Sequence, residues 1–171
     1  MAGCPFKKMH GLGNDFVIID ARKNGLTLSV AARQKIADRR WGIGCDQLIL
    51  LEPPQAPKAD LFMRIYNPDG SEAGACGNAT RCVARILFDE TGHSTGVVQT
   101  ISGLLPVKTE GDGLIQVDFG LPRLGWSEIP LAQDCDTLHV PLTAEGLTDP
   151  CCVNMGNPHA VFFVENVNAV A

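Results

Sequence analysis

Seven cysteines, four histidines and a scatter of side-chain amides are the groups in this 171-residue sequence best equipped for chemistry. Cys76 stands out among them. It opens the run CGNATRCVARILFDE (76–90) directly after a turn-forming stretch. Its sulfur can therefore lie among the unpaired N–H groups of a first helical turn, where the helix dipole favours thiolate over thiol. That placement predicts a lowered pKa. The amides of Gly77 and Asn78 in the same turn form a seat for an anion. A substrate carboxylate held there would gain stronger hydrogen bonds as the charge of an α-carbanion spreads into it. A base and an electrophile thus come from one helix start. The plainer reading is a buried cysteine at a helix beginning, and spacing leaves both readings open.

Neutral polar groups precede turns in otherwise apolar surroundings at Asn14, Gln47, Asn67 and Asn157. Each can simply hold its own turn together. Taken together, they suit a zwitterionic ligand that makes many hydrogen bonds. His159, between Pro158 and an apolar stretch, is either a satisfied core histidine or a group that sets the ionisation of a thiol in a pocket. Cys82 falls at the edge of the apolar arc of its helix, which favours packing. His10, His93 and His139 suggest no role.

The cysteine count is odd and lacks framework spacing or any CxxC. Structural disulfides are not expected, and most of the thiols should be small buried hydrophobes. Cys76, Cys82 and His93 do not have the spacing of a zinc finger, so no metal site is expected. The glycine pairs at 11/13, 42/44 and 74/77 complete no G-x-G-x-x-G, because Phe16 stands where the first would need glycine. With no P-loop and no G-x-S-x-G either, dinucleotide, nucleoside-triphosphate and serine-hydrolase readings fail.

The elements that must position these residues follow from pattern. FVIID (16–20), after the glycine turn HGLGND (10–15), reads as a strand. SVAARQKIADRR (29–40) reads as a short amphipathic helix, with Ser29 as its N-cap and Gly42 beyond its last turn. DQLILLE (46–52) and DLFMRIYN (60–67) read as strands, and NPDG (67–70) as a turn. In 76–90, at about 100° per residue, Cys76, Ala79, Val83, Ile86, Leu87 and Glu90 share one arc opposite Arg81 and Arg85. Phe88 lies off that arc, which predicts a helix surrounded by the protein rather than laid on its surface. Three β-type runs, VVQTIS, LLPVKTE and LIQVDFG, then read as a meander. Beyond Gly120 the composition turns proline-rich and loses periodicity, which places a domain boundary near 120–137. TLHVPL and CCVNMGNPHAVFFVEN contribute further strands, the latter split by a Gly-Asn-Pro turn.

Nineteen acidic against fourteen basic residues give a net charge of −5 with no basic run, which excludes the phosphate attraction of a nucleic-acid binder. No apolar stretch approaches the roughly 20 residues of a membrane helix, and the N-terminal MAGCPFKKMHG has no signal-peptide core. The expectation is a soluble, cytoplasmic protein.

The strings MHGLGNDF (9–16), GIGCDQ (42–47), YNPDGSEAGACGNATRC (66–82) and MGNPHAVFF (155–163) resemble the diaminopimelate epimerases, in the order of that family and over essentially the whole chain. These are amino-acid epimerases that work without pyridoxal phosphate. The resemblance implies an α/β (α+β) fold of two pseudo-symmetric domains, each a curved, mostly antiparallel sheet wrapped around a central helix, with the site in the cleft between them. Residues 1–120 would be the first domain, with 76–90 its central helix. Residues 121–171 would be a linker and the opening strands of the second. The resemblance further implies two cysteines, one per domain, on opposite faces of the substrate α-carbon. They convert LL-2,6-diaminopimelate to the meso form with no metal or cofactor. Cys76 matches the first-domain cysteine. Asn14, Gln47, Asn67 and Asn157 match substrate-contacting side chains, Gly77 and Asn78 match backbone donors, and His159 matches a histidine beside the thiols.

Two departures stand out. Ala79 replaces a common glycine, and the second-domain motif ACGSG, with the Glu-Arg pair before it, does not occur in this sequence. One thiol serves one face, so the expectation is a chain that does not invert substrate alone. Two further readings stay open. One is a different racemase or isomerase of the same fold, such as a proline racemase or a phenazine-biosynthesis isomerase. The other is a non-catalytic thiol-bearing domain that pairs through exposed apolar sheet surface. The oligomer is not determined, a homodimer being one option.

Overall fold

The computed structural model describes residues 4–170; of the N-terminal string read above, residues 1–3 lie outside it. The chain divides into two compact units at Asp118/Phe119.

The first unit begins with a hairpin of β1 (Lys7–Gly11) and β2 (Asn14–Asp20). Its two-residue loop, Leu12–Gly13, has positive φ at both positions, 54° and 87°, the mirror-image turn that suits the twist of a hairpin. The short helix α1 (Val30–Ala37) leads to β3 (Gln47–Glu52), and β4 (Leu61–Tyr66) and β5 (Glu72–Ala73) follow. Helix α2 (Gly77–Thr91) comes next, and then the meander β6 (Thr95–Thr100), β7 (Gly103–Glu110) and β8 (Leu114–Val117). One curled sheet runs β1-β2-β3-β4-β6-β7-β8, with β5 on β4. Only β2–β3 and β4–β6 pair parallel; the other pairs are antiparallel.

The runs FVII and LILL are apolar at every position because both faces of β2 and β3 are covered. Phe16, Ile18, Ile49, Leu51, Met63 and Ile65 point inward against Ala79, Val83, Ile86 and Leu87 of α2. Val17, Ile19, Leu48, Leu50 and Tyr66 point outward, where Ala37 and Ile36 of α1 pack. Helix α2 buries Ala79, Thr80, Cys82, Val83, Ala84, Ile86, Leu87 and Phe88, so it is surrounded, as its two-sided apolar pattern implies. Gly92 ends it in the left-handed region (φ 72°), and its N–H donates to the Phe88 carbonyl.

Three local readings are corrected. Helix α1 stops at Ala37 rather than near Arg40, because the Asp38 carboxylate accepts from the amides of Arg40 and Trp41, both at 2.7 Å, and turns the chain. Lys7–Gly11 is a strand that the glycine-turn reading left out. In the second unit TLHVPL is not a strand, since Asp136 accepts from the Leu138 amide at 2.9 Å and bends the segment.

The second unit holds two short hairpins, β9 (Thr143–Ala144) with β10 (Leu147–Thr148) and β11 (Cys151–Asn154) with β12 (Pro158–Val161). Its core is small: Ile129, Val140 and Cys152, backed by Leu131 and Cys135. All four residues of β12 are exposed, and Phe163 beyond it is 85% exposed.

Candidate active site

The site is built on strand parity and helix direction. Side chains alternate along a strand, so Asn14 shares the inward face of β2 with Phe16 and Ile18. Gln47 shares that of β3 with Ile49 and Leu51, and Asn67, just past β4, continues the row of Met63 and Ile65. β2 and β3 run parallel with Phe16 opposite Gln47, and β4 runs back with Tyr66 opposite Leu48. Three carboxamides from distant parts of the sequence therefore fall at one end of the sheet. Helix α2 starts at that same end. Its N-cap is Cys76, extended at φ −153°, ψ 109° and making no side-chain capping bond.

Hydrogen bonds tie the row together. The Cys76 thiol donates to Asn14 Oδ1 at 3.7 Å, and Asn14 Nδ2 donates to Asp46 Oδ2 at 3.0 Å. Gln47 Nε2 donates to Asn67 Oδ1 at 3.2 Å, and Asn67 Nδ2 donates to Ser71 Oγ at 3.1 Å. Gln47 Oε1 is buried and has no donor. A buried acceptor without a donor is costly, and a ligand N–H would be welcome there. Asn67 also accepts through its carbonyl from the Gly70 amide at 2.9 Å, which closes the NPDG turn.

Cys76 does not follow the lowered-pKa expectation. The amide hydrogens of Ala79 and Asn78 and the charge of Arg81 do pull its pKa down, but burial outweighs them and pushes the thiol up. The geometry foreseen at the helix start is present; removal of the sulfur from water decides the sign. The amides directed at the sulfur are those of Asn78 and Ala79. Cys82 is buried in the core, and its thiol is also pushed up, first by burial and then by Cys76.

The sequence reading missed a charged cluster behind Asn14. Arg39 bridges Asp15 and Asp46, and Lys8 pairs with Asp15 at 2.6 Å. The signal available was an aspartate beside two of the key amides, in GND and CDQ.

Asn157 and His159 belong to the second unit. Both are exposed, and Asn157 Oδ1 lies 3.1 Å from His159 Nε2. Among the described residues His159 is thus exposed rather than part of a core, as are all four residues of β12. All seven cysteines are free, and three of them (Cys45, Cys82, Cys152) are fully buried, fewer than the composition suggested. Among the described residues no group of three or more His, Cys, Asp or Glu side chains is arranged for a metal ion, and no helix is long and apolar enough to cross a membrane.

With this geometry in view, comparison with known proteins is decisive. The family model described as diaminopimelate epimerase matches residues 6–125. The chain belongs to the diaminopimelate epimerase family. It is 60% identical over 165 residues to the diaminopimelate epimerase of Rhodospirillum centenum, covering 96% of this chain and 57% of that protein. To that of Acidiphilium cryptum it is 53% identical over 166 residues, covering 97% of this chain and 59% of the relative. The chain thus spans just under three fifths of the length of these curated relatives.

Solved structures share the fold. A hydroxyproline epimerase from Agrobacterium vitis superposes with a TM-score of 0.65 at 14% identity, over 91% of this chain and 50% of that one. A methylitaconate delta-isomerase superposes with a TM-score of 0.56 at 18% identity, over 91% of this chain and 51% of that one. At such identities the likeness is one of architecture, and the family assignment comes from sequence. Within the family's frame, Cys76, Gly77, Asn78, Asn14, Gln47 and Asn67 all belong to the first unit, and the structure gathers them at one sheet end.

Proposed function

We propose that the protein serves in converting LL-2,6-diaminopimelate to meso-diaminopimelate, with Cys76 as one of two acid/base thiols acting on opposite faces of the substrate α-carbon. The observation that supports this most directly is the meeting of a thiol, the first-turn amides of α2 and three carboxamides at one rim, with Gln47 Oε1 left without a donor. An α-amino acid brings complementary groups. Its carboxylate suits the amides at the start of α2, and its ammonium suits the unpaired carboxamide oxygen of Gln47.

In the proposed reaction a thiolate takes the α-proton: an S–H bond forms, the Cα–H bond breaks, and the electron pair delocalises into the carboxylate. The other thiol then gives its proton to the opposite face and becomes the thiolate, so the pair exchanges roles and charge is conserved. A thiol whose pKa is raised makes a stronger base once ionised, which narrows the gap to a weakly acidic carbon. The amides supply charge stabilisation where the carbanion develops. We assign the second thiol to the second of the family's two domains, and Asn157 and His159 to the substrate's surroundings on that side. On this reading the protein is a cytoplasmic enzyme of amino-acid biosynthesis that needs neither pyridoxal phosphate nor a metal.

The test is LL-diaminopimelate in deuterated water, with the 171-residue chain and with a chain extended to the length of its relatives. The extended chain should form the meso isomer and take up α-deuterium, and Cys76→Ala should abolish formation of the meso isomer, because the remaining thiol serves only one face. Full turnover by the 171-residue chain would contradict the need for the second thiol. Full turnover by the Cys76→Ala variant would overturn the assignment of Cys76.

A further inference from the structure

The Asn14 amide stands between Cys76 and a charged cluster for which the reaction above has no use. Its nitrogen donates to Asp46 Oδ2 and its oxygen accepts from the Cys76 thiol. A carboxylate can only accept, so Asp46 dictates which end of the amide faces it, and the oxygen is left for the sulfur. Asp46 is itself held firmly. Its Oδ2 accepts from the Asp15 amide at 2.9 Å, its own N–H donates to Asp15 Oδ1 at 2.9 Å, and Arg39 reaches its Oδ1 at 2.8 Å.

Both carboxylates sit below the ordinary range. Asp15 is lowered chiefly by Arg39, and Asp46 chiefly by the Asn14 amide itself. They therefore remain ionised at neutral pH. The cluster of Lys8, Arg39, Asp15 and Asp46 sums to zero formal charge, so what it transmits to the sulfur is an orientation more than a field. Arg81, Cys82 and the amides of Asn78 and Ala79 also act on the sulfur.

We propose that Asp46 is a positioning residue for Cys76: by locking the Asn14 amide with its oxygen toward the sulfur, it holds Cys76 as an oriented thiol until a ligand arrives. A substrate ammonium that takes the Asn14 oxygen for itself withdraws that acceptor. With that acceptor withdrawn, the Asn78 and Ala79 amides, which favour thiolate, are opposed at the sulfur by burial alone. This inference rests on Cys76 being the acid/base thiol, but its test reads thiol chemistry and not turnover.

Cys76 in the 171-residue chain is alkylated with iodoacetamide across a pH series, and its peptide is quantified by mass spectrometry. Asp46→Ala frees the amide to turn its N–H toward the sulfur, and the alkylation midpoint should fall by about one pH unit, a tenfold gain in thiolate at fixed pH. Asp46→Asn keeps an oxygen for Asn14 and should leave the midpoint in place. In an Asn14→Ala background, Asp46→Ala should add nothing. An unmoved midpoint in Asp46→Ala overturns the proposal. So does an equal shift in Asp46→Asn, which would mean that the carboxylate acts by charge alone.

Should Asp46→Ala fail to fold, the unaltered protein decides by NMR. The Asn14 side-chain amide should be protected from exchange and should respond to the titration of Asp46 in acid. A freely exchanging Asn14 amide would overturn the lock. Loss of deuterium uptake in the extended chain would instead sink the epimerase reading while leaving the alkylation result intact.

Discussion

Gly11 ends β1 where that strand passes the start of α2, and replacing it with alanine tests how closely the site depends on that approach. A Cβ built there would stand 3.1 Å from Asn78 Cβ, 3.3 Å from the Asn78 carbonyl oxygen and 3.4 Å from Asn78 Cα. Carbon atoms rest at about 3.5–4.0 Å, so strand or helix must give by about half an ångström. Neither gives readily. Asn78 lies in the first turn of a helix whose next residues, Ala79 and Thr80, are fully buried, and β1 is paired with β2 along Lys7–Gly11. Overpacking costs about 1–3 kcal/mol, and the stiffer unfolded chain returns about 0.4–1 kcal/mol. Gly11→Ala should therefore destabilise by about 1 kcal/mol in urea unfolding followed by circular dichroism.

The larger consequence falls on the site, because the Asn78 amide directed at Cys76 must shift with its residue. Gly11→Ala should move the Asn78 N–H resonance and the pH midpoint of Cys76 alkylation. Gly13→Ala is the control two residues away. Its φ is +87° with nothing within 4 Å of a built Cβ, so it should cost about 1 kcal/mol through backbone strain alone. It should leave Asn78 and Cys76 undisturbed. If both variants changed the Cys76 midpoint equally, or if neither did, the contact argument would be wrong.

Two more outcomes follow from the cysteines and the second unit. Cys82→Ala removes a sulfur that is 5% exposed in the main core and should cost about 1 kcal/mol or more in urea unfolding, whereas Cys76→Ala, at the rim of that core, should cost much less. Equal losses would argue that Cys76 is a packing residue. His139 is held above its ordinary value by Asp149, 3.0 Å away. Its contribution to stability is therefore complete below about pH 6.5 and is lost as pH rises through the folded value. That contribution is small, because both side chains are more than half exposed. An NMR titration should show the raised midpoint, and Asp149→Asn should return it to the usual range.

How much of this was legible in the sequence depended on whether the deciding interaction was local. Helix α2 could be read from spacing alone: its apolar arc, the turn before Cys76 and the glycine after Thr91 all act within a few residues. The meander of β6, β7 and β8 and the NPDG turn were legible for the same reason. The end of α1 and the bend at 137–142 were misread because single aspartates, Asp38 and Asp136, outbid the helix and strand patterns through their own backbone bonds. Strand β1 was missed because its residues alternate little and its partner β2 supplies the reason for its shape.

The sequence by itself determined which groups were available: a cysteine at a helix start, amides beside turns, and an aspartate next to two of them. Only the tertiary structure decided that Asn14, Gln47 and Asn67 stand in one row, because that depends on strand order and on a register in which a shift of one residue would turn every one of them outward. It also decided the state of the Cys76 thiol. The dipole and amides that favour ionisation are local and legible, but the loss of water that opposes them comes from the fold, which packs Cys76 against the main core and brings Asn14, 62 residues away, onto it. Burial outweighs the local terms there because the energy of a charge depends on everything that surrounds it.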